Sequence, residues 1–452
     1  MKIALLAPAG AMHRHDGMFH KNLHYAPITL ALLAALVPAE LEAEVEIYDE
    51  TAEPIPLSLV ADIVAITCIT GTAPRCYRFA DYFRSRGAKV LLGGVHPSLL
   101  PEEAAAHCDA VIVGLGEETF VQALLDLQRG EARRIYRQPP GAHIEGRPLP
   151  RKDLLRRDRY CTLNTVEAIR GCCHRCDFCA YPQAFGETLH KRRIEEIVAE
   201  IRTFKGKLVL FPDVNLISDI VFAKALFRAL RPLHKWWFAL TTSAVGMDEE
   251  LVALMADSGC KGLLIGFESV NQAAQANLHK RVNRVNQYAP LMELLHARGI
   301  MVMGCFAFGN DADGPDVFDR TVEMCVEAKI DLPRFSVLTP FPGTELYRKL
   351  ESAGRITERD WSLYDVEHVV FRPAQMTAAE LEAGIARAWK KAYSWKNIWR
   401  RMDWRHFCKI HLLYAVFWAA NIGYRRYAQA FSAYGKVVMT DNSDIPAGAT
   451  MG

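Results

Sequence analysis

The sequence has almost no net charge. Its 54 Lys and Arg are balanced by 52 Asp and Glu, leaving +2, so no overall field exists to draw in a nucleic acid, and any electrostatic targeting has to come from local asymmetry. Nucleic-acid partners are therefore not expected. Long apolar runs are also missing. Met1-Lys2-Ile3-Ala4-Leu5-Leu6 meets Pro8 before reaching secretory or membrane-spanning length, which predicts a cytoplasmic protein. There is no low-complexity tract and no repeat at a solenoid period. Length excludes a single small module, since 452 residues is about three times the common domain size of about 150. The one excess is cysteine. Twelve in a long chain without a secretory leader read as reduced thiols and metal ligands rather than disulfides.

Five short runs rich in Val, Ile and Leu, at 2–8, 44–49, 63–69, 89–94 and 110–114, predict buried parallel strands. Amphipathic stretches at 28–36, 74–86 and 117–128 lie between them, giving the alternation of an α/β, Rossmann-like doubly wound parallel sheet over residues 1–140. Ligands of such sheets sit at the carboxyl ends of the strands. Those ends carry Thr67, Thr70 and Gly71, then Gly93-Gly94-Val95-His96, then Gly114, Gly116 and Glu117. Three glycine-rich ends at one rim point to a bound ligand. No GxGxxG opens the first helix, so a plain nicotinamide domain is disfavoured.

Prolines and glycines in polar sequence mark a linker over 141–160. Beyond it, six strand-helix units over 161–375 predict a partial (β/α)6 barrel, with strands at 167–172, 207–213, 238–243, 262–269, 301–309 and 333–339. At the end of the first strand, Cys172, Cys176 and Cys179 follow C-x3-C-x2-C. Three thiolates on one loop can hold three irons of a cubic iron–sulfur cluster and leave the fourth open. Zinc is the rival, but a structural zinc site needs a fourth ligand, and His174 reaches it only by strained geometry. Cys173 is assigned to packing.

With Phe178 before the last cysteine, this motif resembles that of the radical S-adenosylmethionine (SAM) enzymes. Together with Tyr25-Ala26-Pro27, Gly93-Gly94-Val95-His96-Pro97, Gly114-Leu115-Gly116-Glu117, Phe211-Pro212-Asp213-Val214-Asn215, Gly266-Phe267-Glu268-Ser269 and Thr339-Pro340-Phe341-Pro342-Gly343-Thr344, the chain resembles the cobalamin-binding branch, which includes the anaerobic Mg-protoporphyrin ester cyclase and hopanoid methylases. The resemblance covers about residues 1–375 and implies three cofactors: a 4Fe-4S cluster on Cys172, Cys176 and Cys179, SAM, and cobalamin. It implies SAM contacts from Phe178, Asp213, Asn215, Thr241, Thr242, Ser243 and Glu268. The Glu268 carboxylate, after an apolar strand, requires a partner, with a ribose or ammonium ahead of a structural Arg or Lys. Cobalamin contacts are implied for Thr67, Thr70, Gly71, Gly93, Gly94, Val95, His96, Gly114, Gly116 and Glu117. A bulky residue at Gly94 is expected to clash with the corrin. His96 is read in a hydrogen-bonding role ahead of cobalt ligation. The D-x-H-x-x-G of histidine-ligated cobalamin proteins is absent.

The implied activity is C-methylation of an unactivated carbon through a 5′-deoxyadenosyl radical and methylcobalamin. Radical ring closure or rearrangement without methyl transfer is the alternative, and a cobalamin or redox sensor with a structural cluster is the alternative of another class. An electron donor such as flavodoxin or ferredoxin is implied as a partner.

The C-terminal region, 376–452, is predicted to be mainly helical. Between Arg387 and Lys436, eleven Lys and Arg face the single acid Asp403, interleaved with Trp389, Trp395, Trp399, Trp404 and Trp418. Such interleaving suits a bilayer headgroup surface. The apolar run 412–422 is too short to span one. The region is thus read as a peripheral contact on the inner face of the membrane, suited to a lipid-like small-molecule substrate. A packed helical subdomain is the competing reading.

Overall fold

The computed structural model describes residues 1–10, 25–280, 282–405, 413–434 and 442–446. Strands β1 (Lys2–Ala7), β2 (Glu44–Asp49), β3 (Ile63–Thr67), β4 (Lys89–Gly93), β5 (Ala110–Val113) and β6 (Ile135–Arg137) form one sheet in the order β2-β1-β3-β4-β5-β6. Every pairing is parallel. Alternate residues of β1 feed opposite cores: Ala4 and Leu6 pack on one face of the sheet, Ile3 and Leu5 on the other. Burial on both faces is why this strand reads as an unbroken apolar run. The strand order reverses between β1 and β3, which opens the crevice where doubly wound folds bind ligands.

The second sheet is also wholly parallel. It comprises β9 (Leu208–Phe211), β10 (Trp236–Thr241), β11 (Cys260–Glu268), β12 (Met301–Phe308) and β13 (Leu332–Val337), in the order β13-β12-β11-β10-β9. The first of the six predicted barrel strands departs from expectation. Only Ile169–Arg170 is regular, and this β7 pairs antiparallel with β8 (His190–Lys191). Upstream, Val166 donates its N–H to Leu210 O at 2.9 Å, so the chain starts alongside β9 in the sixth position. The Asp213 carboxylate then takes the next donors, Ala168 N–H at 2.8 Å and Ile169 N–H. A side chain has replaced the ladder there, and the strand ends early.

The inner face of this sheet is not packed solid. Leu264, Gly266, Cys305, Ala307, Arg334 and Ser336 keep accessible surface, while their alternating neighbours, turned toward the helices, are buried. The C-terminal region packs against the edge strand β13 of this sheet. Helix Ala378–Ala392, opened by a Thr377–Glu380 capping box, brings Trp389 against Phe335 and against Tyr393, Tyr424 and Tyr427. Arg401 is fully buried and donates to Ile330 O at 3.1 Å and Asn421 Oδ1 at 2.8 Å. Trp389 and Arg401 are thus parts of the core, not of a lipid-facing surface. Trp395, Trp399 and Trp404 remain about half exposed, at 47%, 51% and 54%. Lys409, Lys436 and Leu412 of the predicted basic, apolar tract lie outside the described residues. No helix among the described residues is long and apolar enough to cross a membrane.

Candidate active site

Gly171 has φ +121, and a Cβ there would lie 2.7 Å from the Thr188 carbonyl oxygen. Only glycine makes this turn from β7 into the loop carrying Cys172, Cys176 and Cys179. Asp177 anchors the loop through His279 Nδ1 at 2.7 Å and Lys349 Nζ at 2.6 Å. Its N–H also donates to Leu278 O, and its carbonyl accepts from Leu346 N–H. The thiols are held in different states. Cys173, the His174 N–H and the Asn215 amide stabilise the Cys172 thiolate and lower its pKa to about 5, whereas burial and the neighbouring thiolates push Cys176 up to about 12 despite the nearby Lys280 ammonium. Burial also raises Cys179. Cys173 is exposed. Among the described residues no three His, Cys, Asp or Glu side chains converge as on a single ion. A cubane makes no such demand, because each thiolate takes its own iron.

The predicted SAM residues gather around this loop. Asn215, almost wholly buried, donates from Nδ2 to Cys172 Sγ at 3.9 Å and accepts from Thr241 Oγ1 at 3.5 Å. It serves the cysteine rather than the open rim. Asp213 commits one oxygen to the backbone of the first strand. Burial and the Glu167 charge raise its pKa to about 7 against those N–H donors, and its Oδ2 has no hydrogen-bond partner. Thr242 Oγ1 is likewise buried and unpaired. These two orphaned oxygens, beside the cysteine loop, are what a polar cofactor would complete. Ser243 donates to Asn283 Oδ1 at 2.6 Å.

Glu268 sits at a register shift between β11 and β12 with φ +61, unusual for a residue with a Cβ. The partner its carboxylate requires is in the chain: Lys280, in a close ion pair. Of the two expected kinds of partner, a ligand or a structural cation, the chain itself supplies the second. The Lys280 ammonium also lies over the Phe178 ring, 5.8 Å from its centroid. Lys280 was not singled out from the sequence. The only hint was the unmet need of Glu268, twelve residues away.

At the other sheet, the switch-point crevice is a cavity of about 410 Å³. Of the expected cobalamin residues, Thr67, Gly93, Gly94, Val95, Gly114, Gly116 and Glu117 line it; Thr70, Gly71 and His96 do not. Thr70 is buried, and Gly71 abuts the Tyr364 carbonyl. The His96 ring is fully buried, with Nδ1 3.3 Å from Thr70 Oγ1 and Nε2 3.2 Å from Glu103, whose carboxylate also accepts from Trp361 Nε1 at 3.1 Å. His96 therefore fastens this sheet to the segment around Trp361, and the corrin-facing role is withdrawn. Among the described residues the cavity lining has no His, Cys or Met. Gly94 is required for another reason than the one expected. At φ +107, its Cβ would lie 2.7 Å from the Cys68 carbonyl oxygen, so a side chain there breaks the turn. Gly116 has φ −91, and a Cβ would find nothing nearer than 3.8 Å.

Tyr181, Phe185 and Arg170, at the cysteine-loop end of the second domain, complete the cavity wall. The two ligand regions therefore share a boundary. Four charges fix it: Arg170 binds Glu117 at 3.1 Å and Glu167 at 2.7 Å, while Arg147 from the linker pairs with Glu167 at 2.5 Å and lies 3.6 Å from Glu117. Two guanidiniums are matched by two carboxylates, as buried charge demands, although Arg147 Nε and Nη2 make no hydrogen bond.

A crevice at the carboxyl edge of a doubly wound sheet, beside a three-cysteine loop on a partial barrel, gives the chain two adjoining ligand regions. The sequence profile of the radical SAM superfamily matches residues 166–325, and that of the B12 binding domain matches 23–124. The chain is 30% identical over 396 residues to bacteriochlorophyllide d C-12(1)-methyltransferase of Chlorobaculum tepidum, covering 83% of this chain and 84% of the relative. It is 29% identical to the C-8(2)-methyltransferase of the same organism, covering 82% and 86%. In structure it is similar to TsrM of Kitasatospora setae, a radical SAM methyltransferase solved with cobalamin and a [4Fe-4S] cluster, at TM-score 0.64 and 17% identity over 96% of this chain and 99% of that one. The chain belongs to the B12-binding branch of the radical SAM superfamily. It is an enzyme whose cofactors are a 4Fe-4S cluster, SAM and cobalamin.

The open Gly116 position gives a clean test of the cavity. Gly116→Leu is expected to cut uptake of hydroxocobalamin by the full-length protein roughly tenfold or more, since about 1.4 kcal/mol suffices for that change, with iron content unaltered. Spectrophotometric titration reads it. Uptake equal to that of the parent chain would place the corrin elsewhere.

Proposed function

We propose that the enzyme methylates an unactivated carbon of an apolar, polycyclic small molecule of the chlorophyllide type. The observation that carries this reading is the shared boundary: residues on either side of the cysteine loop, Arg170 and Tyr181, help to line the crevice of the first sheet, and the inner barrel face keeps accessible surface. The relatives that match over most of their length are named for methylation of bacteriochlorophyllide d. When bound, the cluster supplies a reducing electron and the corrinoid a transferable methyl group. The chain's own residues set the stage for both. Asn215 and the His174 N–H favour the thiolate of Cys172. Lys280 neutralises Glu268 beside the thiols, and the Glu117–Arg170 bond fixes the spacing of the two domains.

We assign the electron to a small donor such as flavodoxin or ferredoxin, since a cluster on this loop takes its electron from outside the chain. We place the enzyme in the cytoplasm, with Trp395, Trp399 and Trp404, flanked by Lys396 and Arg400, as a peripheral contact with the membrane's inner face. Equal co-sedimentation with neutral and anionic vesicles would return these tryptophans to ordinary surface.

The test of the activity is anaerobic reconstitution with SAM, cobalamin and bacteriochlorophyllide d. Formation of both 5′-deoxyadenosine and S-adenosylhomocysteine with a methylated pigment is expected. The first product alone would mean radical chemistry without methyl transfer, and neither product would point to a sensor.

A further inference from the structure

Arg334 is the one guanidinium on the inner face of the barrel sheet. It stands on β13 opposite Cys305 of β12, which in turn stands opposite Gly266 of β11. The three residues share one level, and with strands spaced about 4.8 Å apart, Arg334 lies about 10 Å from Gly266 across the sheet. Over Gly266 sits the Lys280–Glu268 pair: a Cβ there would come within 2.8 Å of Lys280 Nζ. Arg334 therefore faces, across open space, the end of the lumen beside the cysteine loop.

Among the described residues, the arginines Arg147, Arg170, Arg192 and Arg401 all have partners, Arg147 through Glu167. Arg170 and Arg192 are paired with carboxylates, and Arg401 is satisfied by carbonyls and Asn421. Among the described residues Arg334 makes no hydrogen bond and no ion pair, and it keeps part of its surface accessible. The acid that faces it, Glu367, is taken by the Tyr427 hydroxyl at 2.7 Å, and burial raises its pKa, weakening it as a counter-ion. The remaining groups within electrostatic reach are Tyr25, Cys305, Tyr424 and Tyr427, all neutral in their ordinary forms. Arg334 has accessible surface toward the lumen, so its planar donors are open to an anion that a ligand supplies. Leu240, Leu264 and Met303 leave the rest of the inner face apolar and accessible.

We propose that Arg334 is the substrate's anchor: it takes a carboxylate of an otherwise apolar substrate in the barrel lumen and so sets which carbon is turned toward the cysteine loop. The planar guanidinium offers two parallel N–H donors to the two carboxylate oxygens, a geometry that lysine cannot reproduce. This assignment deepens the methyltransferase reading and relies on it for the identity of the lumen as the substrate site. Arg334 is a binding and orienting residue and takes no part in bond making.

The experiment is equilibrium binding of a fluorescent apolar acid, pyrene-1-butyrate, and of its methyl ester to the full chain. The parent protein, Arg334→Met and Arg334→Lys are compared, with melting temperature and iron content as checks of folding. The acid is expected to bind the parent chain tighter than the ester. Arg334→Met should lose roughly ten- to a hundredfold of acid affinity, the range a charge-assisted hydrogen bond spans, Arg334→Lys should lose less, and ester binding should stay level in all three. A purely structural arginine would not discriminate acid from ester. Equal binding of acid and ester by the parent chain, absence of binding included, would overturn the proposal, as would undiminished acid binding by a folded Arg334→Met. Turnover of bacteriochlorophyllide d is assayed separately. If it fails while the acid–ester discrimination holds, the chlorophyllide reading falls and the anchor stands.

Discussion

Alanine at Cys172, Cys176 or Cys179 is expected to leave the anaerobically reconstituted protein without its four-iron cluster and without 5′-deoxyadenosine formation, while Cys173→Ala keeps both. Each of the three thiols is partly buried on a loop that Gly171 and Asp177 hold in place, so no neighbouring sulfur can swing in to replace a lost one. Cys173 is adjacent to Cys172 in sequence but exposed, and its bond to the Cys172 thiol is one of several that keep the latter ionised. Its loss should change cluster content little. Iron and sulfide analysis with the visible spectrum decides the matter. Parent-level cluster in any of the first three variants would overturn the ligand assignment.

His296→Ala should lower stability by about 3–5 kcal/mol, the range for removing one member of a buried charge cluster, and lower Tm by on the order of 10 °C. The ring is buried, with Nε2 2.9 Å from Asp331 and Nδ1 3.2 Å from Asp403. Asp331 further accepts the Val302 N–H at 2.8 Å, and Arg405 approaches Asp403 at 3.9 Å. Burial opposes the imidazolium, yet the two carboxylates outweigh it and raise the pKa from 6.5 to about 10. A folded-state pKa above the unfolded one gives stability that is complete below about pH 6.5 and disappears as pH rises through about 10. The gap in Tm between parent and His296→Ala should therefore be widest near neutral and acidic pH and close at the alkaline end. Melting curves across that interval measure it; a gap independent of pH would mean that the ring acts by packing alone.

Much of the fold could be read along the chain because its strands are buried on both faces. Ile3 to Leu6 and Ile63 to Ile66 are unbroken apolar runs, and in both the predicted and the observed strand begin at the same residue. β6, three residues long with one buried side chain, left no such pattern. The truncated first barrel strand was illegible for a different reason, since its ladder is broken by a carboxylate more than forty residues away, at Asp213. Site residues divided along the same line. The cysteines cluster in sequence and carry their chemistry with them, whereas Lys280, Arg147 and Arg334 acquire meaning only from partners, or the want of them, that folding brings near. His96 falls on both sides of the line: its hydrogen-bonding role was legible ahead of cobalt ligation, but its place beside the corrin was not, since its ring turns away from the crevice and into Thr70 and Glu103.

The unfilled inner face of the barrel sheet has one more consequence. A sheet that leaves its interior vacant cannot be its own container, and here its edge at β13 is bordered by residues after 376, whose Tyr424 and Tyr427 lie near Arg334 and outside the cofactor machinery. The molecule thus separates a fixed engine from an exchangeable casing. Changes in the casing are expected to alter what is admitted before they touch the cysteine loop, the glycine-lined crevice or the four-charge joint between them.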